Sequence, residues 1–219
     1  MKEIILDLCG GTGSWAKPWK DAGFSVHTIT LPEYDITKTK ITEDFITFTK
    51  NGSELDNVIV VRKSAIYGIL AAPPCTMFSF ARTNAKKPRD LKEGMECVRA
   101  CLNIIWSCME IKQSTGKKTL PLKFWALENP AHGFLRNFLG KPSFIFEPYE
   151  FGDMYRKKTA LWGKFAEPKK QEHKLEKMVK FDYLKSKDIH PEFFGKFDRQ
   201  TRRSITPQGF AEAFYQANE

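Results

Sequence analysis

The chain has 219 residues, of which 42% are hydrophobic and 28% are charged, and this ordinary globular composition excludes disorder as its main state. No run approaches the roughly 18 uninterrupted apolar residues of a membrane-spanning helix, and Glu3 and Asp7 inside the first apolar run argue against a signal peptide. The net charge of +9 favours a polyanionic partner, and five cysteines in a chain that can bury its own core predict the reducing cytoplasm rather than a disulfide framework.

Short buried strands that end in unusual turns dominate the first half of the chain. Four segments rich in apolar or β-branched residues predict strands at residues 3–8, 25–31, 58–61 and 67–72. The first strand runs into a glycine-rich turn at residues 9–14, and a short helix closed by Gly23 is expected over residues 14–22. The last of these strands ends at Pro73-Pro74.

A helix over residues 91–109 is the clearest helical pattern. Its apolar residues recur every three or four positions, at Leu91, Met95, Val98, Leu102, Ile105 and Met109. Asp90 is the expected N-cap, and a strand over residues 124–127 follows and runs into Glu128-Asn129-Pro130. Because strands and helices alternate, we predict an α/β fold with a mostly parallel sheet and helices on both faces. Such sheets bind ligands at the carboxyl ends of their strands, where the three unusual turns would meet.

The character of the sequence changes after Gly152. Residues 168–187 are rich in Lys and Glu, a pattern more typical of a solvated segment than of a nucleic-acid surface. A final helix is expected to begin with Thr206 as its N-cap and Pro207 at its first position.

Two of the turns indicate chemistry. The glycine turn lacks the Gly-Lys-Ser or Gly-Lys-Thr of a phosphate-binding loop, so it fits a nucleoside cofactor such as S-adenosylmethionine, and an ordinary tight turn explains it equally well. Two prolines fix the backbone before Cys75, which makes this residue either a candidate nucleophile or a small buried apolar side chain. Basic residues that would favour its thiolate and contact phosphate follow at Arg82, Lys86, Lys87 and Arg89.

Glu128 supplies the third turn with a carboxylate. Beside a nucleophilic cysteine it would be a general acid or base, and the alternatives are a helix cap or a surface turn. No metal site is expected, because Cys97, Cys101 and Cys108 share one helix without a histidine or a second cysteine pair.

Together the three turns resemble those of the DNA cytosine-5 methyltransferases. Residues 7–13 (DLCGGTG) are similar to that family's cofactor motif, and Pro73-Pro74-Cys75 with Phe78-Ser79 to its nucleophile motif. Glu128-Asn129 is similar to its catalytic Glu-Asn motif, and the order of the three motifs agrees. Tyr34-Asp35-Ile36-Thr37 also resembles the short motif whose acidic residue meets the adenine of the cofactor.

The resemblance implies a Rossmann-like, S-adenosylmethionine-dependent methyltransferase fold and roles for the matching residues. The catalytic residues would be Cys75, Glu128, Asn129 and Lys158. The S-adenosylmethionine site would contain Asp7, Cys9, Gly11, Thr12, Gly13, Ser14, Thr30, Leu31, Asp35, Ile36 and Pro74. Double-stranded DNA would be bound by Ser79, Arg82, Lys86, Lys87, Arg89, Arg202 and Arg203. The chain would comprise a catalytic domain (1–162), a short basic insertion or reduced recognition region (163–198) and a C-terminal helix returning to the catalytic domain (199–219).

The chain departs from the family pattern at several points. Thr30-Leu31 stands where an acidic residue usually holds the cofactor ribose, Pro130 replaces a small apolar residue, and Tyr155-Arg156-Lys157-Lys158 represents the Gln-x-Arg-x-Arg motif. The usual Gly-Asn pair before the last helix is absent. Residues 163–199 are too few for a separate target-recognition domain, as in reduced phage-like members, so weak sequence specificity or a partner protein for recognition is expected.

Other functions remain open at this point. An RNA cytosine-5 methyltransferase would share the same covalent chemistry. A nucleic-acid-binding decoy of the same fold would have lost turnover, and Thr30 is the departure that favours it. An amino-group methyltransferase is disfavoured because Ala72 stands where its hydrogen-bond acceptor would be, and a thiol oxidoreductase because Cys75 has no second cysteine at redox spacing.

Overall fold

The computed structural model describes residues 3–52, 57–81, 87–109, 122–171, 197 and 201–219, and the backbone of residues 111–112, 118–119, 179–180 and 199–200. Its strands are β1 (Ile4–Leu8), β2 (Ser25–Ile29), β3 (Lys40–Ile41), β4 (Phe45–Thr49), β5 (Val58–Arg62), β6 (Ile66–Ala71), β7 (Ile111–Lys112), β8 (Lys118–Thr119), β9 (Phe124–Pro130), β10 (Phe144–Phe146), β11 (Tyr155–Arg156), β12 (Thr159–Lys164) and β13 (Val179–Lys180). Its helices are α1 (Lys17–Asp21), α2 (Leu91–Met109), α3 (Arg136–Leu139), α4 (Arg199–Ser204) and α5 (Gln208–Asn218).

A six-stranded mixed sheet forms the centre of the molecule, in the order β10-β12-β9-β6-β1-β2. Strands β2, β1, β6 and β9 are parallel to one another, whereas β12 runs antiparallel to both β9 and β10. The carboxyl ends of the four parallel strands therefore lie along one edge of the sheet. The predicted α/β class and the mostly parallel sheet are confirmed.

Both faces of the sheet are covered, as its alternating side chains require. On one face Leu8, Ile69 and Leu127 join the buried residues of α2 in a first core. On the other face Ile5, Leu70 and Phe124 form a second core with α1 and α5. The prediction of helices on both faces is confirmed, because the strands are apolar on both sides.

Aromatic rings fill much of the second core. Trp19 of α1 lies 5.4 Å from Phe124 and 6.0 Å from Phe214 of α5, measured between ring centroids. Phe210 of α5 stacks on Phe146 of β10 at 3.8 Å. The last helix of the chain is thus fastened to the first helix and to an edge strand of the sheet.

Several boundaries differ from those predicted. The strand expected at residues 58–61 belongs to a separate antiparallel sheet, β3-β4-β5, that packs against the first core through Ile46 and Val61. Helix α1 begins at Lys17 rather than at residue 14, with Pro18 in its first turn, where proline is tolerated. Helix α2 spans the predicted residues, and the Asp90 carboxylate accepts a hydrogen bond from the Glu93 amide at 2.9 Å, which confirms the N-cap.

The expected cap of the last helix is wrong. Helix α5 begins at Gln208 with Pro207 as its N-cap residue, and no side chain at that position caps it. The Gly209 amide instead donates to the carboxylate of Asp153, from a distant part of the chain. A long-range partner of this kind leaves no local pattern in the sequence.

None of the helices in the described part of the chain combines the length and the apolar character needed to cross a bilayer.

Candidate functional site

Hydrogen bonds join the three unusual turns at one edge of the sheet. The Cys9 amide donates to the Ile29 carbonyl at 2.8 Å, which ties the end of β1 to the end of β2. The Ala72 amide donates to the Leu8 carbonyl at 2.9 Å, which ties β6 to β1. The Asn129 side-chain amide donates to the Pro73 carbonyl at 3.0 Å, which ties β9 to the Pro-Pro turn. The predicted meeting of the turns is therefore observed.

The glycine turn folds tightly over the side chain of Asp7. Cys9, Gly11 and Gly13 all have positive φ angles (57°, 57° and 72°), so the turn needs residues that tolerate the left-handed region. A Cβ on Gly10 would lie 2.0 Å from an oxygen of the Asp7 carboxyl group, so no larger residue fits there. The loop is shaped around this buried carboxyl group.

Asp7 itself is a buried acid with an incomplete set of partners. Only 1% of it is exposed, its Oδ2 accepts a 3.3 Å hydrogen bond from the Thr28 hydroxyl, and its Oδ1 has no hydrogen-bond partner within the described chain. Burial raises the pKa of Asp7 to about 7, against the opposing effect of the Thr28 hydrogen bond. A buried carboxylate oxygen directly below the glycine turn is suited to a cationic ligand group.

The turn that carries Cys75 is held from several sides. The Cys75 carbonyl accepts hydrogen bonds from the amides of Phe78 (2.9 Å) and Ser79 (2.8 Å), and the Phe78 carbonyl accepts one from the Phe134 amide (3.0 Å). Cys75 is half-buried with a free thiol, while Pro74 beside it is exposed. The turn thus presents the thiol at the sheet edge on a backbone that its own hydrogen bonds fix.

The charge of the Glu128 carboxyl group acts on the Cys75 thiol. Burial and the charge of Glu128 raise the pKa of Cys75, whereas Lys157 and Arg203 lower it. Burial also raises the pKa of Glu128, and Lys157 opposes this. A carboxyl group that keeps its proton to higher pH is a competent general acid, and two nearby cations favour the thiolate that a nucleophile requires.

Glu128 and Asn129 lie within a strand rather than in the expected turn. Strand β9 continues to Pro130 because its last residues pair with the antiparallel strand β12, with Glu128 opposite Leu161 and Asn129 opposite Ala160. Its other neighbour, β6, pairs only as far as Leu127. The two residues therefore project past β6 towards the Pro-Pro turn, and Asn129, 1% exposed, acts there as a structural clamp on Pro73.

The lysine near the thiol is not the predicted one. Lys158 is exposed, and its carbonyl accepts a hydrogen bond from the Ala131 amide. The neighbouring Lys157 is half-buried and is the lysine whose charge lowers the pKa of both Cys75 and Glu128. The two lysines form the link between β11 and β12, and they differ in burial although they are neighbours in the sequence.

Arg203 is a site residue whose role the sequence analysis missed. It was expected to contact phosphate, yet it comes close enough to Cys75 to lower the pKa of the thiol. Arg203 belongs to α4, far along the chain from the three turns, and no spacing in the sequence links it to them.

The end of β2 offers mixed surroundings for the predicted adenosine contacts. Leu31 is 64% exposed and Thr30 is half-buried. Asp35 caps a short 3-10 turn, accepting hydrogen bonds from the Thr37 amide (3.0 Å) and hydroxyl (2.6 Å), and the Thr37 hydrogen bond lowers the pKa of Asp35. Ile36 is buried in the first core, so its side chain is unavailable to a ligand and only its backbone could meet one.

The two hydroxyl groups of the glycine turn bind each other, and the predicted DNA contacts differ in their exposure. The hydroxyl groups of Thr12 and Ser14 hydrogen-bond to each other at 2.5 Å. Ser79 is half-buried on the turn that carries Cys75, and Lys87 is exposed. Arg202 is half-buried on α4 beside Arg203. Arg82 and Lys86 lie outside the described residues.

Arg89 binds the turn that carries Cys75. Its guanidinium donates to the carbonyls of Met77 and Ser79, the latter at 3.1 Å, and lies over the ring of Phe134 at 4.9 Å. These contacts give Arg89 a role within the protein, and its contact with a DNA backbone stays a prediction.

Of the remaining cysteines, Cys9 lies in the glycine turn, and Cys97, Cys101 and Cys108 lie in α2. The Cys101 thiol hydrogen-bonds with Cys9, and burial and neighbouring acidic groups raise the pKa of Cys97 to about 11. Within the described residues, no group of three or more histidine, cysteine or acidic side chains has an arrangement that could hold a metal ion. These thiols pack the glycine turn against α2.

The chain matches no protein-family model, and no curated protein shows significant similarity to it. A functional assignment therefore depends on the chemistry and arrangement of the side chains at the sheet edge.

Proposed function

We propose that this chain is an S-adenosylmethionine-dependent DNA cytosine-5 methyltransferase with a Rossmann-like fold. The observation that carries the proposal is the 3.0 Å hydrogen bond from the Asn129 side-chain amide to the Pro73 carbonyl, which holds the strand end that carries Glu128 against the turn that carries Cys75. In keeping with this, the charge of Glu128 raises the pKa of the Cys75 thiol. A nucleophilic thiol and a protonated carboxyl group acting on one base are the two groups that methylation at C5 requires.

The residues around the glycine turn fit S-adenosylmethionine. This cofactor carries an ammonium group and an apolar adenine, and it supplies an electrophilic methyl group on its sulfonium. The unpartnered Oδ1 of Asp7 suits the ammonium group, and the exposed Leu31 at the end of β2 suits a flat base. Thr30 would offer the ribose a hydroxyl group in place of the usual carboxylate.

The chain's own residues would act on the base in a fixed order. Cys75, as thiolate, forms a bond to C6 of cytosine while Glu128 gives its proton to N3, and C5 becomes an electron-rich enamine carbon. After methylation of C5, the C5 proton leaves to a base, the C6–sulfur bond breaks, and N3 returns its proton to Glu128. The thiolate and the carboxylic acid are regenerated, so the protein is unchanged overall.

The target cytosine must leave the duplex to reach Cys75, which costs a few kcal/mol in unstacking and unpairing. Lys157 and Arg203 beside the thiol would stabilise negative charge on the thiolate and near the flipped nucleotide. RNA remains a possible substrate of the same chemistry, because the described side chains act on the base and not on the sugar.

The test is covalent capture of DNA that contains 5-fluorocytosine. The wild-type chain with S-adenosylmethionine should form a denaturant-resistant complex, since fluorine at C5 blocks the final elimination. Cys75→Ser should lose both the complex and methyl transfer, because a neutral hydroxyl group is a far weaker nucleophile than a thiolate. Cys108→Ala, which removes a buried thiol from the far end of α2, is the matched control and should retain both. A complex that persists in Cys75→Ser would contradict the proposal.

A non-catalytic decoy is the second candidate, and Thr30 at the end of β2 is the residue that favours it. Calorimetry separates the two functions: no binding at millimolar S-adenosylmethionine would support the decoy, and saturable binding would support the enzyme.

A further inference from the structure

Arg89 makes an unusual set of contacts for a surface arginine. It is half-buried just before α2, and its guanidinium donates to the carbonyls of Met77 and Ser79. The flat face of the same group lies 4.9 Å from the centre of the Phe134 ring. One side chain thus uses its edge on the turn that begins with Cys75 and its face on the Phe134 ring.

The other carbonyls of this turn are bound from different directions. The Cys75 carbonyl is taken by two amides within the turn, and the Phe78 carbonyl by the Phe134 amide. On the far side, the Phe80 amide donates to the His132 carbonyl at 3.3 Å, and a Cβ on Gly133 would lie 2.9 Å from the Phe78 carbonyl oxygen. The segment around Phe134 and the turn are therefore in close contact, and Arg89 bonds to one while stacking on the other.

We infer that Arg89 is a positioning residue that locks the Cys75 turn to the Phe134 segment and so fixes the thiol relative to Glu128. The inference that this affects turnover rests on the proposed function. A guanidinium is suited to the task because its planar fork donates to two acceptors at fixed separation while its face stacks on an aromatic ring. Lysine has neither the fork nor the flat face, so Arg89→Lys keeps the charge and loses the lock.

The first experiment does not depend on any activity. Site-resolved mass spectrometry measures the rate at which iodoacetamide alkylates Cys75 in the folded protein. Arg89→Ala should raise this rate by about fivefold or more, because a loosened turn opens locally and exposes the half-buried thiol. Arg89→Lys should raise the rate about as much as Arg89→Ala, because it keeps the charge and loses the lock. Arg99→Ala, which removes an exposed arginine from the surface of α2, is the matched control and should leave the rate unchanged.

The second experiment measures methyl transfer to DNA. Arg89→Ala should lower kcat by roughly 10²-fold, since a misplacement of about 1 Å has that effect on a reacting group, while the Kd for S-adenosylmethionine stays within about twofold of wild type. A residue that merely stabilised the fold would lower cofactor affinity and melting temperature together. Phe134→Leu, which removes the stacked ring and keeps the backbone hydrogen bonds, should change kcat in the same direction and should serve if Arg89→Ala does not fold.

The outcomes separate the two ideas. If the wild-type chain transfers no methyl group, the proposed function fails, and the alkylation rates still decide the role of Arg89. If the alkylation rate of Cys75 in Arg89→Ala and Phe134→Leu equals that of Arg99→Ala, the lock is refuted. If both variants expose Cys75 and leave cofactor affinity intact, the positioning role stands.

Discussion

Asp7 illustrates a residue whose presence is explained by a ligand better than by stability. Its carboxyl group is buried with one oxygen unpartnered, and its pKa rises from 3.8 to about 7. Because the folded state holds the proton more tightly than the unfolded state, the stability that the proton provides is complete below pH 4 and is lost as the pH rises to about 7. One pKa unit corresponds to about 1.4 kcal/mol, so ionised Asp7 destabilises the fold by several kcal/mol as an order of magnitude.

Asp7→Asn should therefore raise the melting temperature at pH 8 and change it little at pH 4, since only the ionised form is costly. The same substitution should weaken S-adenosylmethionine binding, because it removes the negative charge that would face the cofactor's ammonium group. Differential scanning calorimetry at the two pH values and titration calorimetry with the cofactor give both numbers. Asp21→Asn, at an exposed ion pair with Lys17 on α1, is the control. Equal stabilisation at both pH values would contradict the assigned pKa.

Glu128 should be required for turnover and should also affect the reactivity of Cys75. Glu128→Gln keeps the shape and loses the transferable proton, so kcat should fall by roughly 10²-fold or more. The same change removes the charge that raises the pKa of the Cys75 thiol, so that pKa should fall. The pH profile of Cys75 alkylation measures this shift without any substrate.

The two adjacent lysines provide an internal comparison for that pH profile. Lys157→Met should raise the pKa of the Cys75 thiol, because the cation that favours the thiolate is lost. Lys158→Met should leave it unchanged, because that side chain is exposed. A larger shift in the Lys158 variant would reverse the assignment of the two side chains.

Single-residue roles could be predicted from the sequence only where they depend on local spacing. Cys75 and Glu128 stand at strand ends that the hydrophobic pattern identifies, so their meeting followed from the topology of a parallel sheet. The choice between Lys157 and Lys158 depends on the register of β12 against β9, which no local pattern specifies. The role of Arg89 depends on carbonyl directions in a turn, which are a property of backbone geometry.

At the scale of elements, the anchoring of the last helix affects the surroundings of Cys75. The Gly209 amide, in the first turn of α5, opposes the rise that burial causes in the pKa of Asp153. The Oδ2 of Asp153 has no hydrogen-bond partner within the described chain. Helix α5 directly follows the α4 segment that carries Arg203. The position of Arg203 near Cys75 therefore depends on how firmly α5 is held.

Asp153→Ala should destabilise the protein by about 1 kcal/mol, the usual effect of losing a helix N-terminal cap, and should raise the pKa of Cys75 as Arg203 becomes less well placed. Asp153→Asn keeps an acceptor for Gly209 and is the matched variant. Burial raises the pKa of Asp153 to about 6, so the wild-type protein should lose stability as the pH rises from about 4 to 6 and Asp153 gives up its proton. The Asn variant has no such proton, so its stability should not fall over this pH range. Urea denaturation at pH 4 and 7 measures the difference; equal unfolding free energies for Ala and Asn would contradict the cap.

Elements differ in how far the sequence specifies them. Helix α2 was predicted to the residue because a long apolar stripe and an Asp cap coincide. The extension of β9 through Glu128 and Asn129 was not, because it depends on pairing with β12, a strand about thirty positions later whose pattern resembles any other apolar run. The pairing of strands that are distant in the chain is the feature that is hardest to predict from a single sequence.

For the whole molecule, the excess of positive charge should govern its affinity for DNA. The net charge is +9, and with Arg89 committed to the nucleophile turn, the phosphate contacts proposed from described residues are Lys87, Arg202 and Arg203. Each phosphate contact contributes roughly 0.9 to the slope of log K against log salt. Affinity should therefore fall steeply with salt and depend little on sequence.

Lys87→Gln combined with Arg202→Gln should reduce the salt slope by about two and weaken binding to every sequence alike. Arg89→Gln should change the slope less than these two substitutions do, since two of the Arg89 donors are occupied by carbonyls. Fluorescence anisotropy with two unrelated duplexes over a range of salt concentrations measures both effects. Clean methylation of one motif of four or more base pairs would show instead that short loops read the bases.

The pairing of β9 with β12 also sets the moment during synthesis at which Glu128 comes into register with the Cys75 turn. A nascent chain that has emerged as far as Leu139 already contains Asp7, Cys75 and Glu128, yet the strand that aligns Glu128 and Asn129 begins only at Thr159. At about 5–20 residues per second, the glycine turn can assemble on the ribosome seconds before the acid is in register. The Cys75 thiol is therefore not matched with the Glu128 carboxyl group until the sheet has received β12, the strand that runs against the others.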